Sequence, residues 1–234
     1  MVAIITESVK LLFGTLEFFS IVMLSFSLFR LPIRYSVWKI AVVSVVVTLI
    51  SLYQRDYVGV GETAVLAMIV AYILLVSFLF NIQLMFAAVI CMFGYLAYAV
   101  IQPLLAILII ATGWTTFEEM QASLFQGSLL QAVSSLVVLG IVFWMTRRKL
   151  GFMFIQKRIT FSSSTRAYNL FLLSLLLAGI GAIQLTVISF AENTNILAVL
   201  AAVLLISVVG LVVTYKKNKR EINEKYDRLK SRQH

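Results

Sequence analysis

The chain has 234 residues, 62% of them apolar and only 12% charged, with a mean hydropathy of +1.02 and a formal net charge of +9. Soluble domains carry about 25% charged residues, so this chain lacks the charge to coat a water-facing surface, and a soluble globular enzyme is excluded. The basic excess would suggest nucleic acid in a soluble protein; here it flanks apolar blocks, so it reports topology and no nucleic-acid partner is expected.

A bilayer core about 30 Å thick is crossed by roughly 20 helical residues. In chain order the blocks that qualify are Leu11–Phe29, Val37–Tyr53, Thr63–Phe80, Gln83–Thr112, Gly127–Met145, Ala167–Phe190 and Asn195–Tyr215. The first has no basic leader and no small-residue cleavage site, and it contains Glu17, so it reads as a span and not a signal peptide. The uncharged run 63–112 is too long for one crossing, and the polar pair Asn81 and Gln83 divides it at a tight turn. The fourth block is overlong; Pro103 is expected to kink it, and Trp114 beyond it suits an interfacial anchor. The expected fold is an all-α polytopic transmembrane bundle with a cytoplasmic helical extension, divided as 1–215 and 216–234.

Charge tests the count. If alternate loops are cytoplasmic, they hold all of the 19 basic residues except Lys10 and Arg55, while six of the ten acids fall on the other side. That asymmetry places the N-terminus outside and the C-terminus inside, which requires an odd number of spans, and seven fits. Between the basic groups of the fifth connection, Leu150, Phe152, Met153, Phe154 and Ile155 suit a headgroup-bound segment. Ser162 to Thr165 offer helix-capping hydroxyls before the sixth span. On the outer side Trp114, Phe117, Met120 and Leu124 recur at three- and four-residue steps, the spacing of a short helix lying on the membrane.

The chemistry on offer is sparse. Cys91 is the only cysteine and His234 the only histidine, and they lie in different blocks. A thiol–imidazole pair, a disulfide and a zinc site are therefore excluded. No GxSxG, HExxH or GxxxxGK occurs, and no metal or cofactor is expected. Glu17 is the only acid well inside a span, near its outer third. It reads either as a residue facing Thr15 or Ser20, or as a contact for a cationic ligand or a proton relay. Lys39 is placed to snorkel to the inner interface. Gln83, Gln102, Gln131 and Gln184 are candidates for interhelical hydrogen bonds, one or two of them facing a ligand cavity, and Gly179-Ile180-Gly181 permits close helix approach.

The tail TYKKNKREINEKYDRLKSRQH continues the last span with no Gly or Pro to stop it. Tyr215, Ile222 and Leu229 are seven apart, and Glu221 and Lys225 form an i,i+4 pair. The segment reads as a solvated basic helix or as a rigid signalling helix that dimerises. A polytopic bundle, a charged exit helix and then Arg-Leu-Lys-Ser-Arg-Gln-His resemble the sensor kinases that detect peptide pheromones in Gram-positive bacteria. These are the accessory-gene-regulator and competence-pheromone receptor kinases, whose ATP-binding domain is of the GHKL class. Their phosphoacceptor motif resembles Arg-x-His-Asp-Phe-x-Asn-His; Arg232, Gln233 and His234 match its first three positions, and the sequence stops there. The resemblance implies a plasma-membrane sensor module with His234 as phosphoacceptor, assembled as a homodimer, and a response regulator as partner only if a kinase domain follows. It implies an extracellular peptide bound where Glu118, Glu119, Trp114 and Phe117 meet the outer ends of the spans, with Glu17 below. The alternative from another class is a small transporter subunit or substrate-binding membrane component, which requires a polar cavity at mid-membrane.

Overall fold

Five apolar runs become five helices in the computed structural model: α1 Val2–Leu28, α2 Val37–Tyr53, α3 Ala64–Phe80, α4 Leu84–Ala111 and α5 Leu124–Arg147. The structure describes residues 2–33, 36–54, 64–116, 119–120, 123–151, 178–185, 198–206, 208–210 and 212, and among these all regular structure is helical. Among the described residues three helices are long and apolar enough to cross a membrane: Thr6–Leu28, Leu84–Ala111 and Leu124–Arg147, of 23, 28 and 24 residues. The apolar helices α2 and α3 have 17 residues each. The expected headgroup segment beyond Gly151, the capping serines 162–165, most of the sixth and seventh blocks and the tail lie outside the described residues.

Helix ends depart from the apolar runs for local reasons. α1 begins at Val2 and not at Leu11, because polar residues extend the helix; Lys10 reaches Glu7 at 3.4 Å one turn away. α5 begins at Leu124 and not at Gly127, because the Ser123 hydroxyl caps it by accepting from the Gln126 amide at 3.5 Å. The division of the long uncharged run falls where the sequence places it. Asn81 takes φ +51, and the Ile82 amide bonds to the Ser77 carbonyl at 3.1 Å, closing the end of α3. α4 then runs unbroken through the buried Pro103.

The ends of α1 and α5 close in the same way. Arg30 and Lys149 have φ +50 and +53, with six-residue backbone bonds from Leu31 to Phe26 at 3.0 Å and from Leu150 to Met145 at 2.9 Å. A basic side chain at these positions also complements the negative end of the helix dipole. Gly151 lies against the last turn of α1: a Cβ there would stand 2.7 Å from the Ser27 carbonyl oxygen. Phe26 and Phe80 meet edge to face at 4.6 Å, and Lys39 Nζ donates to the Leu79 carbonyl at 2.8 Å. The C-termini of α1, α3 and α5 and the start of α2 thus gather at one end, with Arg30, Lys39, Arg147, Arg148 and Lys149.

α1 is the central helix, packed against α2, α4 and α5, while α3 packs against α2 and α4. Small residues let the backbones approach. A Cβ on Gly14 would lie 2.8 Å from Thr48 Cγ2 of α2, and one on Gly94 of α4 would lie 2.7 Å from the Ser25 Cα of α1. Gly179 packs on Met92 and Leu96 as a close-approach residue should, whereas a Cβ on Gly181 would meet nothing within 4 Å among the described residues.

Polarity is reversed relative to a soluble bundle. Ser20, Ser25, Ser44, Ser134 and Ser135 are completely buried, while Leu66, Val70, Leu74 and Phe78 form an exposed apolar stripe along α3. Trp38, Val42, Val45 and Leu49 do the same on α2. Contiguous apolar faces of this extent are disfavoured in water and suit a hydrocarbon surround. Several inward hydroxyls are satisfied within their own helix: Ser25 donates to Ile21, Ser44 to Ile40 and Thr48 to Ser44, each carbonyl at 2.8 Å.

Candidate functional site

Two places concentrate polar or concave chemistry, and the expected ligand residues divide between them. The first is at the end of the bundle opposite the basic cluster, where α4 gives way to α5. α4 ends at Ala111, Gly113 takes φ +75, and the chain turns through Trp114 into Thr115 and Thr116. Thr116 and Glu119 form a reciprocal cap. The Glu119 carboxylate accepts from the Thr116 amide at 3.1 Å, and the Thr116 hydroxyl accepts from the Glu119 amide at 3.3 Å. Thr115 is buried, and its hydroxyl donates to Gln126 Oε1 at 2.6 Å. Met120 turns inward onto Ala106 and Leu130.

These contacts frame a pocket of about 240 Å³ lined by Ile109, Trp114, Thr115, Met120, Phe125, Gln126, Leu129 and Leu130. Trp114 and Phe125 are its exposed rims, 72% and 73% accessible. Trp114 therefore stands at the rim of a concave surface. Glu119 does not line it; its carboxylate is engaged in capping. Phe117, Glu118 and His234 lie outside the described residues.

The second place is halfway along the bundle. With the apolar part of α1 running Thr6–Leu28, Glu17 stands at its middle and not at the outer third. It does not face Ser20, whose hydroxyl donates to the Glu17 backbone carbonyl at 2.7 Å. Its carboxylate accepts instead from Gln102 Nε2 of α4 at 3.1 Å. One turn earlier on α4, the buried Tyr98 hydroxyl shares a hydrogen bond with Ser134 of α5 at 2.9 Å, and both Glu17 and Ser135 lie close enough to act on that hydroxyl. Ser134 also donates to the Gln131 carbonyl at 3.1 Å, whereas the wholly buried Ser135 hydroxyl meets no partner in full hydrogen-bonding geometry. Three helices thus bring a carboxylate, an amide, a phenol and two hydroxyls together.

Gln102 is ten residues from Thr112, about 15 Å along α4, so Glu17 and Trp114 belong to separate sites. Nothing in the sequence singles out Tyr98, Ser134 or Ser135 beyond an adjacent pair of serines inside an apolar block. Cys91 is completely buried beside the Tyr72 hydroxyl, which donates to Ser25 at 2.8 Å. No base is among these neighbours, so the thiol is a packing residue. Among the described residues no group of three or more His, Cys, Asp or Glu side chains could hold a metal ion. Compared with known proteins, the chain matches no family model, no curated protein and no solved structure.

Proposed function

We propose that this chain is the membrane-embedded sensor module of a two-component signalling kinase. In this reading it crosses a Gram-positive plasma membrane seven times, N-terminus outside and C-terminus inside. It binds an extracellular peptide and passes a helix movement to the cytoplasm. The observation that carries the reading is the aromatic-rimmed pocket of Trp114, Met120, Phe125 and Gln126, at the end of the bundle opposite Arg30, Lys39, Arg147, Arg148 and Lys149. An apolar recess with a few convergent polar groups, on the face with few basic residues, suits the apolar side chain of a peptide arriving from outside. The tail 216–234 then serves as the signalling helix, and His234 is its phosphoacceptor. For binding to transmit anything, the peptide must favour one arrangement of the helices over another.

The test is the genomic frame that follows the His234 codon. Continuation into Asp-Phe-x-Asn-His and an ATP-binding domain supports the kinase reading; a stop codon followed by an unrelated gene refutes it. The pocket is tested separately in a Trp38→Phe, Trp144→Phe background, where Trp114 fluorescence should respond to the peptide fraction of conditioned medium and should cease to respond on Gln126→Ala.

The polar cluster around Glu17 favours a second reading, a small transporter subunit or substrate-binding membrane component. Solute uptake by vesicles containing the purified chain alone would support it.

A further inference from the structure

The cluster halfway along α1, α4 and α5 contains more oxygen chemistry than helix packing requires. Glu17 brings a carboxylate, Tyr98 a phenol, Gln102 an amide, and Ser134 and Ser135 their hydroxyls. All are hard donors, with no imidazole or thiolate among them, which is the ligand set of an alkali or alkaline-earth cation and not of a transition metal. An ionisable residue at this depth is costly and marks an ion pathway or a ligand contact. Among these five side chains there is one carboxylate, which matches a monovalent ion better than a divalent one.

The second, independent observation is Ser135. Its Oγ is fully buried and lies close enough to act on the Tyr98 hydroxyl, yet it meets no partner in full hydrogen-bonding geometry. A buried hydroxyl is normally satisfied, because leaving it without a partner forfeits its hydration. Its sequence neighbour Ser134 is bonded twice, to Tyr98 and to Gln131. A proton taken up by Glu17 would occupy one carboxylate oxygen and leave Ser135 as it is. A cation held between the carboxylate and the α5 hydroxyls would engage both. Turning the Gln102 amide over presents Oε1 where Nε2 now meets Glu17, adding an oxygen without moving a helix.

We propose that this cluster is a binding site for a sodium-class monovalent cation, held by Glu17 of α1, Gln102 and Tyr98 of α4, and Ser135 of α5. The ion ties the central helix to its two long neighbours, and its occupancy is set by the sodium concentration on whichever side the site opens to. The inference is independent of what the outer pocket binds.

The test is thermal unfolding of the purified full chain in lipid nanodiscs at about pH 8, where protons compete little with the ion for a carboxylate. Sodium chloride replaces choline chloride at constant ionic strength. A ligand that binds only the folded state raises Tm progressively with its concentration. The wild-type chain should therefore be stabilised by sodium. Glu17→Gln, which keeps the shape and the contact with Gln102, should remove the dependence. Ser135→Ala should move the sodium concentration for half-maximal effect up by about tenfold, the loss of one charge-assisted ligand. Both variants replace a side chain by one that is easier to bury, so folding is not at risk. The proposal is overturned if sodium and choline give the same Tm, if Tm follows pH but not sodium, if Glu17→Gln still responds, or if Ser135→Ala responds at the wild-type concentration.

Discussion

Replacing Gly94 by Ala should destabilise the bundle although it improves the helix propensity of α4. The added Cβ would stand 2.5 Å from the Ser25 Cβ and 2.7 Å from its Cα, with the Ser25 hydroxyl in its path. The obstruction includes α1 backbone, so no rotamer change relieves it. The helices must separate, or Ser25 must move and give up the bond it accepts from Tyr72 at 2.8 Å. Overpacking costs about 1–3 kcal/mol and an interhelical hydrogen bond about 0.6–1.7 kcal/mol, against a gain of roughly 1 kcal/mol for Gly to Ala in a helix. The net loss is then about 1–4 kcal/mol. Gly140→Ala on α5 is the matched control, because its Cβ would meet nothing within 4 Å; it should be neutral or slightly stabilising. Denaturant unfolding of both variants in mixed micelles, followed by tryptophan fluorescence, measures the difference. Glu17 lies eight residues before Ser25 and Gln102 eight after Gly94, so both stand about 12 Å along their helices from the crossing. A wedge there should loosen the Glu17–Gln102 contact as well. If Gly94→Ala unfolds at or above the wild-type midpoint while Gly140→Ala behaves as stated, the close α1–α4 crossing is wrong.

Gly151→Ala should cost about 3 kcal/mol, since φ is +130 and the new Cβ would press on the Ser27 and Leu28 carbonyl oxygens at 2.7 and 2.8 Å. Faster protease cleavage beyond Arg148 would register it, and unchanged cleavage would count against the contact. Tyr98→Phe should lose about 1 kcal/mol with the bond to Ser134; adding Ser134→Ala to it should cost little more, and additive losses in that double-mutant cycle would show that the two hydroxyls do not interact. With the buried Cys91 changed to Ala, a membrane-impermeant maleimide on intact cells should label Thr112→Cys and leave Arg148→Cys unlabelled until the membrane is opened. The reverse pattern would refute the proposed orientation.

The turn between α3 and α4 was legible because an uncharged run of that length cannot be a single crossing, and Asn81 is one of the few residues that tolerates the left-handed backbone it adopts. Helix limits were less legible, because apolar runs mark what hydrocarbon would cover and not where backbone hydrogen bonding stops. That difference set the start of α1 too late and so placed Glu17 too close to one end. Thr116-Phe117-Glu118-Glu119 also has the spacing of a capping box, and that local bond engages one oxygen of the Glu119 carboxylate. The partners of Glu17 were beyond reach for a different reason. Gln102 is 85 residues away in sequence, and Tyr98, Ser134 and Ser135 resemble any other inward residues until α1, α4 and α5 are set side by side.

That three-helix arrangement gives α1 an unusual share of the constraints. Along one helix, Gly14 meets Thr48 of α2, Glu17 meets Gln102 of α4, Ser25 meets both Tyr72 of α3 and Gly94 of α4, and the final turn is pressed by Gly151 after α5. Its contacts with α4 are a close backbone crossing at one level and a hydrogen bond between side chains at another, about 12 Å away. A close crossing tolerates little sliding, whereas a Glu–Gln pair can open and reform as the helices rotate about the crossing. If α1 turns as a lever about Ser25 and Gly94, a change at the Glu17 contact would be felt at that crossing, about 12 Å away. Weakening the pivot with Gly94→Ala and removing the charge with Glu17→Gln should not be additive if they act through this lever, and should be additive if the crossing and the cluster are independent features of the bundle.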